Sequence, residues 1–544
     1  MIANRLVSWG RPAQLVTLTA ALTAYAGVAL TNSRIIGPDT YLNLYAGRWI
    51  VDHGAIPHTD TLTVAGQGRP WFAQQWLAHI VFYETWRFGG YAAIAILSAA
   101  AIALSFAILA WLMLRRGTSP ARTLTWVVIA FFVCQVNTEI RAQSFAYPLF
   151  AGVLFLLLED EREGWRNRMW ALPPLLILWS NVHGSILLGA PLVAGYCLWR
   201  FLKTHDLRYA ALVAATPVTV GITPYGFSVV DYYRAVVSNP VIGRFIQEWA
   251  PATFSPSNLQ FFILCLLVLA TGALAIRKHV RPAPGLVAIT LILIAGGFHT
   301  LRYQAWAAFP AVVLAAEILT QATASSEQAT PETSPSSSRL LAALPTAMLA
   351  IVLPLAVLSP DTVRAQVFLI FAGVVAGAAV IERPRAWRGT GAALGLVCAA
   401  ATAMLIAGGH GIFAPEVSSG ASRSLATFHA EYPRADVLAD DETSGALLWQ
   451  TPALQGEVGF DARVEIVPQE SLIRYANFLL GRGRWLAVTK PYSFIVVSRA
   501  EHPALERRMD HAPGWALAYR DKTDSIYASS ALGITQKASH GGST

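Results

Sequence analysis

Residues 36–54 read IGPDTYLNLYAGRWIVDHG, directly after an apolar run from about Ala13 to Thr31 that is long enough to cross a bilayer. Asp39, Tyr41 and Arg48 therefore stand where a first span leaves the lipid. Within the stretch, Leu42, Tyr45, Trp49 and Ile50 follow the i, i+3, i+7, i+8 spacing of an amphipathic helix. WFAQQWLAHIVFYETW, from Trp71, repeats the habit with Trp71, Trp76, Phe82 and Tyr83. Two aromatic-rich amphipathic helices beside a span are expected to lie along the membrane interface.

Composition agrees. Hydrophobic residues make up 55% of the chain and charged residues only 13%, with a mean hydropathy of +0.47, against roughly one quarter charged in soluble domains. The sequence is that of an integral membrane protein. Its net charge of +8 is scattered between apolar runs rather than clustered, so nucleic-acid binding is excluded. Cys134, Cys197, Cys265 and Cys398 all fall in apolar runs without CxxC spacing and are read as core residues, neither disulfides nor zinc ligands. Arg5 and Arg11 precede the first run, which lacks a clean cleavage site and is read as a retained helix.

Apolar runs near 13–31, 90–113, 122–137, 143–158, 169–182, 185–202, 208–223, 259–276, 283–298, 304–320, 340–358, 365–381 and 389–408 predict thirteen spans. The pair either side of SNVHG (residues 180–184) also reads as one long broken helix, which would change the count. With a cytoplasmic N-terminus, eighteen Lys and Arg fall in the cytoplasmic segments and, leaving aside the C-terminal tail, nine in the opposite loops, as the positive-inside rule favours. An odd count sends the tail outside.

The organisation that follows is a membrane module over 1–320 with a large first outer loop at 32–89, a Ser/Thr/Ala/Pro-rich flexible linker at 321–339, three further spans over 340–408, and a small outer α/β domain over 409–544. In the tail, ADVLADD, WLAVTK and SFIVVSR read as strands, PALERRMDHA as a helix, and WALAYRDKTDSIYAS as two strands joined by a polar turn.

An aspartate soon after the first span, a long first outer loop with two interfacial helices and an outer C-terminal domain together resemble the GT-C superfamily of polyprenyl-phosphate-dependent membrane glycosyltransferases. The span count is similar to its oligosaccharyltransferase branch. More narrowly, PDTYLNLYAGRWIVDHGAIPHTDTLT, GRPWFAQQWLAHIVFY, LILWSNVHGSILLG and ITPYGF resemble bacterial GT-C-like membrane proteins. The resemblance implies an all-α polytopic fold in the bacterial plasma membrane. It also implies transfer of a sugar from a lipid-linked donor to a glycan, lipid or protein acceptor at the outer face. It makes Asp39 the general base or acceptor-orienting carboxylate; Asp60 in PHTDTLT is a second catalytic candidate, without a counterpart in the family. The sequence departs from the pattern in the tail: DETSGALLW (residues 441–449) is at most a distant echo of a WWDYG-type acceptor motif, so nothing supports recognition of a peptide sequon.

Such a transfer needs a base for the acceptor proton and cations for the departing phosphate. Arg141 and Arg302, at the outer ends of spans, carry the planar fork that suits phosphate oxygens, and His299 would join them. Against this stand an N-cap role for Asp39 and snorkelling for the arginines. His183, at the polar break in WSNVHGSILLG, Glu248 and Trp249 in RFIQEWAP, and Tyr41 are expected to line the cavity. Asp39 and Glu248 could together hold a divalent metal ion, Mg or Mn, through carboxylate oxygens. No HExxH, P-loop, GxSxG or Rossmann glycine pattern stands in a usable context, so protease, ATPase, lipase and nucleotide-dependent chemistries lack support. A non-catalytic lipid or solute transporter is the alternative. Two matched halves, which would favour it, are not visible.

Overall fold

The structure, a computed structural model, describes residues 36–134, 140–237, 247–255, 258–329 and 417–534. The spans expected near 13–31, 340–358, 365–381 and 389–408, and Cys398, lie outside the described residues. In chain order the helices are α1 (Pro38–His53), α2 (Trp76–Arg115), α3 (Pro120–Cys134), α4 (Gln143–Glu163), α5 (Leu172–Val182), α6 (Ile186–Thr204), α7 (Leu207–Gly221), α8 (Val229–Val237), α9 (Leu259–Arg277), α10 (Pro284–His299) and α11 (Gln304–Ala329). They are followed by α12 (Ser419–Glu431), α13 (Asp441–Gln450), α14 (Gln469–Leu480) and α15 (Pro503–Met509). The described residues form two compact units: unit 1 takes in those within 89–223 and 247–329, and unit 2 takes in 36–88, 224–237 and 417–534.

Unit 1 is helical. Trp76–Arg115, Ile186–Thr204, Leu259–Arg277 and Leu301–Ala324 are long and apolar enough to cross a membrane, and a fifth arises if Leu207–Gly221 is joined with Gly226–Val237. Arg122–Cys134 and Pro284–His299 are apolar but shorter. Among the described residues four to five helices thus meet the requirement, against nine expected runs before residue 321 that fall on described residues, because several of these runs form helices of under eighteen residues. α2 is interrupted at Gly89 and Gly90, where Gly90 takes φ 63° and ψ −156°, a conformation open to glycine. SNVHG is a true break, since α5 ends at Val182 and α6 starts at Ile186. Gly189 in α6 lets the Trp179 ring approach; a Cβ there would lie 2.5 Å from it. Stacked and edge-on contacts of Tyr147 and Phe150 with Trp306 and Phe309 lock α4 to α11. α11 continues through Ala329, well into the expected linker, because its Ala-rich sequence favours a helix and holds no Pro after Pro310.

In unit 2 the tail carries a four-stranded sheet, β1 (Val437–Leu438), β2 (Phe494–Ser498), β3 (Trp515–Arg520) and β4 (Asp524–Ser529), ordered β1-β2-β4-β3, with β1 parallel to β2 and the other pairs antiparallel. The first outer loop extends it, Val64 N donating to Val458 O at 2.8 Å and Gly456 N to Leu62 O at 2.9 Å. Much of α1 is enclosed by protein. Tyr41, Leu44 and Tyr45 are fully enclosed, because small residues let neighbours close on several sides. A Cβ at Gly47 would come within 2.2 Å of the His79 carbonyl oxygen, and one at Gly445 of α13 within 3.1 Å of Tyr41. Arg48 donates to the carbonyls of Leu448 and Trp449 at 2.7 and 3.0 Å. SFIVVSR and the WALAYRDKTDSIYAS hairpin are strands, and PALERRM is a helix, as the sequence predicts. Only two residues of ADVLADD pair, and WLAVTK is a 3-10 turn at Trp485–Thr489 with Trp485 stacked on Phe478 of α14.

Candidate functional site

In unit 1, Arg141 and Arg302 precede α4 and α11, and a short turn at Gln247–Trp249 carries Glu248 between them. That turn is stitched to the end of α10: Ala252 N donates to Phe298 O at 3.0 Å, Leu301 N to Ala250 O at 3.0 Å, and Thr300 Oγ1 to Glu248 O at 2.8 Å. The buried Arg141 donates from Nη1 to Glu248 Oε1 at 2.7 Å. The Arg302 guanidinium lies over the Trp249 ring, 5.4 Å from its centroid. Burial alone would raise the Glu248 carboxyl, but Arg141 and Arg302 outweigh it and hold it below the ordinary glutamate range.

His183 faces the same charges. It ends α5, and its Nδ1 accepts from Ser185 N at 3.1 Å and sits 2.8 Å from Ser185 Oγ, which leaves the hydrogen of a neutral ring on Nε2. Burial first, then the positive charges of Arg302 and Arg141, keep this ring neutral. The structure thus brings Arg141, Arg302, Glu248, Trp249 and His183 together. His299 is exposed at the last position of α10.

Asp39 belongs to unit 2. It is not the N-cap of α1: that position is Gly37, with Pro38 opening the helix and Thr40 accepting from Gly37 N at 3.2 Å through its hydroxyl. Asp39 is half-buried in the first turn, where a negative charge complements the helix dipole. Asn43 Nδ2 donates to the Asp39 carbonyl at 2.7 Å, and His79 Nδ1 lies 2.8 Å from Asn43 Oδ1. Tyr41, expected at a cavity, is instead a core residue against Gly445.

Asp60 is sealed in unit 2, with Leu62 N at 3.0 Å, Thr63 Oγ1 at 2.5 Å and Arg463 Nη1 at 2.9 Å. Arg463 is itself fully buried, held by Asp461 through Nη2 at 2.6 Å and Nε at 2.8 Å, with Trp71 over its guanidinium at 4.2 Å. Tyr45 of α1 closes the network by donating to Asp461 Oδ2 at 2.8 Å. This clamp joins the first loop to the tail and was not legible in the sequence, since its charged members lie about 400 positions apart without a local pattern. Both Asp60 oxygens are committed to it. Nearby, burial together with Asp461 and Asp39 pushes Glu465 up to about 7 despite Arg463.

Among the described residues no three His, Cys, Asp or Glu side chains cluster so as to hold a metal ion, and Glu248 is already engaged by Arg141.

No protein-family model matches the sequence, and no curated relative does. Solved structures do. ArnT from Cupriavidus metallidurans in the apo state aligns with 93% of this chain and 95% of its own at a TM-score of 0.52 and 16% identity. The same protein bound to undecaprenyl phosphate aligns with 95% and 98% at 0.53 and 15%. The Archaeoglobus fulgidus oligosaccharyltransferase, tethered with an acceptor peptide containing the NVT sequon, aligns with 97% of this chain and 75% of its own at 0.51 and 11%. Likeness at such low identity concerns the fold. The apolar helices and this likeness together make the chain an integral membrane protein with the fold these structures share.

Proposed function

We propose that the protein is a membrane glycosyltransferase that moves a sugar from a polyprenyl-phosphate donor to a glycan, lipid or protein acceptor. The reading is carried by one observation: two guanidinium groups and a neutral histidine gather about a single carboxylate at one end of unit 1. Guanidinium groups and an N–H of a neutral imidazole are the donors that suit a phosphate whose negative charge grows as the sugar leaves. Likeness of fold to a protein solved with undecaprenyl phosphate supports it.

In this scheme Arg141 and Arg302, with His299 at the rim, hold the donor phosphate. His183 donates from Nε2–H, and Trp249 keeps Arg302 in place. Asp39 takes the acceptor proton as the acceptor oxygen forms its bond to the sugar. The bond from sugar to phosphate oxygen breaks, and its electron pair leaves with the polyprenyl phosphate. Asp60, committed to Arg463, serves by fixing the loop. The proposed setting is the bacterial plasma membrane with thirteen spans, a cytoplasmic N-terminus and the tail outside. A divalent cation on Asp39 and Glu248 would have to compete with Arg141; unchanged transfer after chelation removes it.

The test is transfer by purified protein from a panel of undecaprenyl-phosphate-linked sugars. Asp39→Asn, which keeps size and the capping geometry of Gly37 and Thr40, should bind donor normally and transfer about 100-fold more slowly, the scale of losing a general base. Full transfer by the asparagine variant removes Asp39 from the mechanism. Movement of lipid or solute without glycosylated product from the unaltered protein makes it a transporter and ends the enzymatic reading.

A further inference from the structure

The two arginines of the rim open the same short pattern. Residues 141–146 read RAQSFA and residues 302–307 read RYQAWA: an arginine, a glutamine two positions on, an aromatic two beyond that, then alanine. In both, the glutamine is the first residue of a helix, Gln143 of α4 and Gln304 of α11. A proline follows inside each helix, at Pro148 and Pro310. The helices run parallel and touch through the aromatics that follow the glutamines, Tyr147 and Phe150 against Trp306 and Phe309 with ring centroids 4.8 to 6.4 Å apart. Their N-terminal ends, with the positive end of each dipole, therefore lie side by side.

What makes this more than two helix starts is the state of the glutamines. Gln143 is 1% and Gln304 6% exposed, yet among the described residues Gln143 Oε1 and Gln304 Nε2 have no hydrogen-bond partner. Buried amides are ordinarily satisfied, and leaving one without a partner destabilises the fold. Gln143 Nε2 donates to Tyr147 OH at 3.0 Å. The tyrosine hydroxyl can equally donate, so turning the amide over keeps that bond and frees two N–H donors. Gln304 already has its N–H group free. Two buried amides can thus offer donors beside two guanidinium groups. That inventory matches a phosphoryl group, whose oxygens accept several hydrogen bonds at once.

We propose that the paired Arg-x-Gln turns form one phosphoryl-binding cradle, in which Gln143 and Gln304 donate to the same phosphate as Arg141 and Arg302. This rests on the donor-site reading above and assigns two further binding residues to it. The phosphoryl group could belong to a polyprenyl phosphate, to free phosphate or to a phospholipid head. Binding of undecaprenyl phosphate, inorganic phosphate and phosphatidylglycerol in nanodiscs to the full-length protein separates these sources.

Gln304→Leu removes its orphaned polar atom at similar volume, and Gln143→Leu is combined with Tyr147→Phe so that the tyrosine hydroxyl bonded to Gln143 is not stranded in turn. These variants, and all three changes together, should melt at the same temperature as the unaltered protein or higher, and the combined variant should bind undecaprenyl phosphate at least tenfold more weakly. A structural role predicts the reverse, a lower melting temperature with affinity retained, and that result overturns the proposal. Wild-type affinity in the leucine variants, alongside weakened binding by Arg302→Lys, overturns the glutamine assignment and leaves the donor reading standing. If the unaltered protein binds none of the three ligands, both fail. Equal binding of all three would reject the assignment to a lipid-linked donor.

Discussion

The two ends of the unit 1 helices settle their charges differently. At one end Arg115, Arg116, Arg162 and Arg168 meet Glu159, Glu163 and Glu317: Arg115 to Glu159 at 2.9 Å, Arg116 to Glu317 at 2.6 Å, Arg162 to Glu159 at 3.0 Å and Arg168 to Glu163 at 2.8 Å. Glutamates there also cap backbone, Glu161 accepting from Gly285 N at 2.6 Å and Glu317 from Ala283 N at 3.1 Å, so the start of α10 is pinned. At the other end Arg141 and Arg302 share one carboxylate and a neutral histidine. The first end is a structural rivet, and the second is the proposed site.

The largest expected effect breaks the rivet. Arg116 and Glu317 are almost fully buried, and Arg116 also donates to Leu158 O at 3.1 Å. Arg116→Met should cost about 3–5 kcal/mol, the usual scale for leaving one partner of a buried pair uncompensated. Thermal unfolding in detergent measures it, and adding Glu317→Gln should restore much of the loss. A variant as stable as the parent would show that this end is no more structural than the other.

At the open end the order reverses. Arg302→Lys keeps the charge and loses the planar fork and its stacking on Trp249. It should leave the melting temperature within a degree or two while weakening undecaprenyl phosphate about tenfold, or ~1.4 kcal/mol. Stability loss without binding loss would make this arginine another rivet.

Much of this contrast was legible in the sequence, because it depends on which helix ends share a side. Alternation of apolar runs placed Arg115, Arg116, Arg162 and Arg168 on one side and Arg141, Glu248 and Arg302 on the other, and each group does gather, the first about Glu159, Glu163 and Glu317. The periodicity of α1 was legible too, but not that its polar-looking face would be covered by α13, a contact between residues some 400 positions apart. The Asp60–Arg463–Asp461 clamp was invisible for the same reason. WLAVTK reads as a strand by composition, yet a strand needs a neighbour, and this segment packs beside α14 instead. The boundary expected at residue 321 lies inside α11, which runs through Ala329, because Ser, Thr and Ala are compatible with a continuing helix as well as with a loop.

The smallest effect concerns Glu248 and sharpens the contrast most. Its carboxyl is held below the ordinary glutamate range, so its ion pair contributes fully above about pH 4.5 and is lost as pH falls through the lower folded-state value. In the rivet such a carboxylate would only stabilise. At the site it also competes with a bound phosphate for Arg141. Glu248→Gln should therefore tighten undecaprenyl phosphate at neutral pH by about threefold, or ~0.7 kcal/mol. The unaltered protein should gain the same increment only under acid conditions, where the glutamine variant shows no further change. If Glu248 instead holds a divalent cation that the donor needs, the glutamine variant binds more weakly, and a chelator reproduces the loss in the unaltered protein. The sign of this one change thus separates a carboxylate that guards the arginines from one that recruits a metal.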